Sequence, residues 1–145
     1  MKKLSKKEAG FSLMELLIVV AMIGIIASIS VTAFVDAKTS AGKSAAVAQL
    51  RTMYSTQQNY HIQNLRFANI TELASIQNGG FGTVAANKLS NGRYTYEMVP
   101  AIPTSASLAD SFTMEANGFD NAKILKFQIT ERGNITQLLP VLKNW

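Results

Sequence analysis

From residue 16 to residue 35 the chain runs for 20 residues without a charge. A helix of about 20 apolar residues is what crosses the ~30 Å hydrocarbon core of a bilayer. The run is built of Leu, Ile, Val, Ala and Met with a few small polar residues and no proline. In lipid the backbone must satisfy its own hydrogen bonds, which an unbroken helix does. One membrane-spanning helix is therefore predicted. Lys2, Lys3, Lys6 and Lys7 precede it, and only Asp36 and Lys38 follow closely. The positive-inside bias then places the N-terminus in the cytoplasm and the remaining domain across the membrane.

This segment also explains the composition. Apolar residues make up 48% of a chain of only 145, and their excess is concentrated here. The charge is uneven as well: the four early lysines against Glu8 supply +3 of the net +5, leaving 10 Lys and Arg against 8 Asp and Glu beyond Gly10. The body of the protein is thus not a strongly basic nucleic-acid binder. With no cysteine there is no disulfide framework, thiolate metal site or cysteine nucleophile.

Glu15 sits at the start of the apolar run. A carboxylate in such a segment costs on the order of a few kcal/mol, and it reads as a functional group seeking a partner. Two ordinary readings give it no role. A removable secretory signal has Ser28 and Ser30 at peptidase spacing, with a mature start at Val31. Its apolar core would exceed the usual ~7–15 residues. A plain signal anchor would keep Met1.

The stretch Gly10-Phe11-Ser12-Leu13-Met14-Glu15-Leu16-Leu17-Ile18-Val19-Val20, with lysines before it and Gly24-Ile25-Ile26-Ala27 after it, resembles the precursor signature of type IV prepilins and of the pseudopilins of type II secretion. The resemblance combines a charged leader ending in Gly, a Phe directly after it, a Glu four residues on and a long uncharged run. It implies that a prepilin peptidase cuts between Gly10 and Phe11, removing leader 1–10, and methylates the new amine of Phe11. It further implies that the retained helix becomes the assembly element, with Glu15 pairing with the Phe11 amine of a neighbouring subunit. One departure is Thr32, where many members carry proline and unwind the helix in the filament. Serine and threonine only bond back to the preceding turn and loosen a helix mildly.

Beyond the span (11–35), residues 36–62 are predicted to continue the helix as an amphipathic second half. Val47, Leu50 and Tyr54 recur on one face, flanked by Ala46, Met53 and Tyr60. Residues 63–145 form the expected C-terminal domain. Residues 64–89 read as a connecting loop with a short helix at 71–76 and a flexible Asn78-Gly79-Gly80-Phe81-Gly82 stretch. Alternation at Tyr94/Tyr96/Met98, Phe112/Met114 and Leu125/Phe127/Ile129 predicts strands, punctuated by turns at Asn91-Gly92, Asn117-Gly118 and Gly133-Asn134, with a last strand over 134–138. The expected fold class is α+β: a long N-terminal helix on a three- or four-stranded antiparallel sheet. That order is similar to the pilin fold.

Catalytic chemistry finds little to work with. The single histidine, His61, lies on the apolar helical face and reads as packed. Asp110 and Asp120 could belong to a calcium site, but calcium takes about 6–8 oxygen ligands and no acidic loop clusters around them. Gly79 to Gly82 lacks the Lys-Ser or Lys-Thr of a phosphate loop. Lys38, Lys43 and Arg51 read as a solvated face rather than a DNA site. Tyr54, Tyr60 and Phe67 read as core. The sequons at Asn69 and Asn134 carry meaning only in a eukaryotic secretory pathway.

The expectation is thus a non-enzymatic filament subunit without cofactor or metal. By the resemblance it is a type IV pilin, inserted as a precursor in the bacterial inner membrane. It forms homo-oligomers on an assembly platform driven by an ATPase and ends in an extracellular pilus. The alternatives are a pseudopilin of type II secretion or of a DNA-uptake filament, and, in a different class, a membrane-anchored or secreted ligand-binding domain. The Gly-Arg-Tyr-Pro segment of the abundant pseudopilin is absent: Gly92-Arg93-Tyr94 is followed by Thr95.

Overall fold

The computed structural model describes residues 10–120 and 123–139, with the side chains of 120 and 123 excepted. The lysines of the expected leader therefore lie outside the described residues. The chain divides into two units at Lys38. Helix α1, Leu13–Asn64, contributes to both.

In the first unit no residue from 10 to 38 is buried. Large apolar side chains such as Leu17, Ile25, Ile29 and Phe34 stand in the open. Burying such a side chain is worth about 1.5–3 kcal/mol each, so this stretch is not the core helix of a self-contained domain. The 26 residues from 13 to 38 cover about 39 Å at ~1.5 Å per residue, enough for a bilayer core. Ser28, Ser30 and Thr32 donate their hydroxyls to the carbonyls of Ile25, Ile26 and Ile29 at 2.8, 2.9 and 3.0 Å. The polar side chains are thereby satisfied within the helix, and α1 continues unbroken through Thr32.

The second unit starts at Thr39. Its part of α1 buries Ala46, Leu50, Met53 and Gln57, spaced four, three and four apart, so that they form a single stripe. Val47, Tyr54 and Tyr60 are only half-buried beside it. The real stripe thus keeps Ala46, Leu50 and Met53 from the sequence reading and adds a glutamine that no apolar pattern could reveal. Helix α2, Ile70–Ile76, buries Ile70, Leu73 and Ala74. A short helix α3, Ser107–Asp110, buries Leu108.

Among the described residues the sheet has six strands, not three or four: β1 Thr83–Ala85, β2 Lys88–Asn91, β3 Tyr94–Met98, β4 Thr113–Asp120, β5 Lys123–Thr130 and β6 Ile135–Leu139. They follow chain order and every neighbour is antiparallel, as a meander requires. Of the two additional strands, β1 lies in the predicted loop and β2 spans its end. Only Leu89 of β2 is buried, and β1 is exposed throughout, so neither shows the alternation that marks a strand. They are joined by Ala86 and Asn87, with φ of 49° and 57°, the backbone that a two-residue hairpin turn demands. The β2–β3 turn at Gly92 and Arg93 is where the sequence placed it, and Gly92 has φ 60°.

Asn117-Gly118 is not a turn. Gly118 lies within β4, opposite both Tyr94 and Leu125. The ring of Tyr94 occupies the space where a Cβ of Gly118 would stand. The glycine is there for that close approach, not for a bend.

One face of the sheet carries Leu89, Tyr94, Tyr96, Met98, Met114, Ala116, Leu125, Phe127 and Ile129 into a common core with the helices. The opposite face carries a row of paired polar groups, with Phe119 and Ile124 exposed beyond it. Glu97 and Glu115 stand directly opposite each other, a repulsive arrangement by itself. Lys88 binds Glu97 at 2.7 Å and Lys126 binds Glu115 at 2.6 Å, while the Asn117 amide donates to Glu97 at 2.7 Å. A cation flanks each carboxylate.

Candidate functional site

Gly10, Phe11 and Ser12 precede α1 in non-helical backbone, and all are exposed. A Cβ placed on Gly10 would meet nothing within 4 Å. Both residues flanking the Gly10–Phe11 bond are thus exposed. The helix starts at once after it because Ser12 caps it. Its Oγ accepts the Met14 N–H at 3.3 Å, and its carbonyl accepts the Leu16 N–H at 3.2 Å. Sequence reasoning passed over Ser12, although Ser12-Leu13-Met14-Glu15 has the Ser-x-x-Glu spacing of a capping box.

Glu15 lies exposed in the first turn of α1. There the partial positive charge of the helix N-terminus favours a carboxylate. Phe11 stands two residues before the helix. As long as Gly10 is attached, its nitrogen is an uncharged amide and offers Glu15 no ionic partner. Cleavage would turn that nitrogen into an amine of pKa roughly 8, cationic at neutral pH.

A second cluster ties the end of α1 to α2. Arg66 grips both oxygens of Glu72, at 2.5 and 2.9 Å, and donates to the Tyr60 hydroxyl at 3.1 Å with its guanidinium 5.4 Å from that ring's centre. The Asn69 side chain accepts the N–H groups of Thr71 and Glu72, and Glu72 returns a bond to the Asn69 N–H at 2.9 Å, completing a capping box. The Arg66 hydrogen bonds, helped by the Asn69 N–H and Arg66's charge and opposed by partial burial, hold the Glu72 carboxyl down at about 2. A depressed carboxyl stabilises the fold above the unfolded value and loses that contribution as pH falls. The fold should therefore lose stability from about pH 4.5 down through about 2. Thermal melts across that range should show a smaller acid slope for Glu72→Gln than for the parent; equal slopes would remove Glu72 from the acid response.

The remaining expected residues are placed as follows. His61 stacks on Phe67 with ring centres 4.5 Å apart, its Nε2 3.2 Å from the Ala109 carbonyl, so it is packed. Phe67 in turn meets Phe112 at 4.7 Å, and Tyr54 meets Phe112 at 6.3 Å, within the core and at its edge. Asp110 closes α3, and the Asp120 side chain lies outside the described residues. Gly79 to Gly82 joins α2 to β1 and begins no helix. Lys38 and Arg51 are exposed and Lys43 half-exposed.

An exposed apolar N-terminal helix with one carboxylate in its first turn, followed by an α+β unit on an antiparallel meander, is consistent with a pilin-like fold. Residues 5–31 match the family model described as "Prokaryotic N-terminal methylation motif". The chain is 30% identical over 121 residues to the "Type IV major pilin protein PilA" of Myxococcus xanthus (strain DK1622), an alignment covering 79% of this chain and 55% of the relative. It thus spans about half the length of the curated relative it matches. No solved structure matches it significantly. The chain thus carries a prepilin-type methylation motif at its N-terminus and is similar over most of its length to a type IV major pilin.

Proposed function

We propose that this chain is a type IV pilin precursor. It is held in the bacterial inner membrane by α1 with its N-terminus in the cytoplasm, cut between Gly10 and Phe11 by a prepilin peptidase, and methylated on Phe11. It is then polymerised by an assembly platform and ATPase into an extracellular filament. The carrying observation is the unburied helix of the first unit, which opens on a capped first turn bearing Glu15 directly after Gly10-Phe11. Such a helix needs an apolar surround: lipid before assembly and the helices of other subunits after it. The pilin reading is favoured over the pseudopilin one by the curated relative, itself a major pilin. No cofactor or catalytic residue enters this reading.

The test is intact-mass and N-terminal analysis of the protein from native membranes and sheared surface material. A chain beginning at N-methylated Phe11 is expected in both fractions. A chain beginning at Met1 or Val31 would instead leave a tethered or secreted domain and overturn the filament reading.

A further inference from the structure

The sequence holds three Asn-Gly pairs, at Asn78, Asn91 and Asn117, and the fold treats them differently. Asn-Gly is the step at which an asparagine most readily cyclises, because glycine's missing side chain leaves its backbone nitrogen open to attack the neighbouring amide carbon. Gly118 is buried within β4 between two partner strands, and the Asn117 amide donates to Glu97 at 2.7 Å. Reaction there requires opening the middle of the sheet. Asn91 ends β2, and its amide donates at 2.8 Å to Gln49, which is itself held to the Phe81 carbonyl at 2.8 Å.

Asn78 has neither restraint. It follows α2 in a run, residues 75–80, that is exposed throughout. Its own φ is 50° and that of Gly79 is 80°. Among the described residues nothing bonds its side chain. The Gly79 N–H has only a 3.2 Å bond to the Ala74 carbonyl, at the end of a seven-residue helix, where fraying is easiest.

We propose that Asn78 is a site of spontaneous deamidation in the folded protein, with water as its only co-reactant. The Gly79 nitrogen loses its proton and bonds to the Asn78 Cγ, and the side-chain nitrogen leaves as ammonia. Water then opens the cyclic imide at either carbonyl, giving aspartate or isoaspartate. Nothing is oxidised or reduced. Each event replaces a neutral amide with a carboxylate on the loop between α2 and β1, so the surface charge of a long-lived subunit drifts negative at this loop.

The test is peptide mapping by mass spectrometry, with chromatographic separation of isoaspartate, on the full chain in detergent aged in mildly alkaline buffer and in parallel in denaturant. In the folded protein the Asn78 peptide should convert at a rate close to its denatured one, and the Asn117 peptide at least about tenfold more slowly than its own denatured rate, since opening β4 carries a free-energy cost. In denaturant the three sites should react at comparable rates. Folded protein in which Asn91 or Asn117 reacts as fast as Asn78, or in which all three are protected, would overturn the assignment.

Discussion

Glu15→Ala should leave cleavage after Gly10 near the parental level while lowering the yield of sheared filaments by at least about tenfold, the factor that corresponds to 1.4 kcal/mol. On the proposed reading the carboxylate must leave water when α1 enters a bundle of like helices, at a cost of several kcal/mol unless a cation meets it. The cation is the Phe11 amine of a neighbour, which exists only after processing. Insertion is thereby coupled to cleavage, and the pair fixes axial register more than it adds stability. The competing role is local, because Glu15 occupies the third position after the Ser12 cap and interacts favourably with the helix terminus there. That role is worth about 0.3–1 kcal/mol. Glu15→Gln separates the two, since glutamine serves a capping box but carries no charge. Filament yields from shear preparations decide. If Glu15→Gln assembles as the parent does, charge pairing is wrong and capping suffices.

Gln57→Leu is the second substitution from which a large effect is expected, and it acts on the fold. Gln57 is fully buried, and its amide bonds both polar groups of one residue: Nε2 donates to the Ala68 carbonyl at 2.8 Å, and Oε1 accepts the Ala68 N–H at 2.7 Å. Leucine roughly fills the volume but leaves both backbone groups without a partner, at about 1–3 kcal/mol each. A total loss of about 2–6 kcal/mol follows, which at about 4–8 °C per kcal/mol for a domain of this size lowers the melting temperature by about 8 °C or more. Circular dichroism melts in detergent test it. Loss within about 0.5 kcal/mol of the parent, the range of ordinary surface changes, would show that the 65–69 segment does not depend on this side chain.

The two substitutions also mark what could be read from sequence. Glu15 stands out in the sequence because a charge in an apolar run is locally anomalous and because Gly10, Phe11 and Glu15 stand at the spacing of the motif. Gln57 does not, since a polar residue on a helix reads as solvated until the segment that satisfies it is known, here 11 residues along the chain. Tyr94, Tyr96 and Met98 announced β3 by strict alternation, and β3 is indeed buried on that face. β1 and β2 are held at the sheet's edge by the pairing of β2 to β3 and of β1 to β2, and by a positive-φ turn at Ala86 and Asn87, none of which leaves an apolar pattern. Asn117-Gly118 carried a genuine local turn preference, overridden because Tyr94 needs the space above Gly118.

By itself the sequence determined the apolar helix, the carboxylate in its first turn, the Gly10-Phe11 pair before it and the α+β class. Each of these follows from hydrophobicity, charge or alternation within a short window. The tertiary structure alone decided the six-strand count, the continuation of β4 through Gly118, the burial of Gln57, and the grip of Arg66 on Glu72 that ties α1 to α2. Those depend on which distant groups meet, and a hydrogen-bond partner or a ring occupying a missing Cβ has no counterpart in the local order of residues.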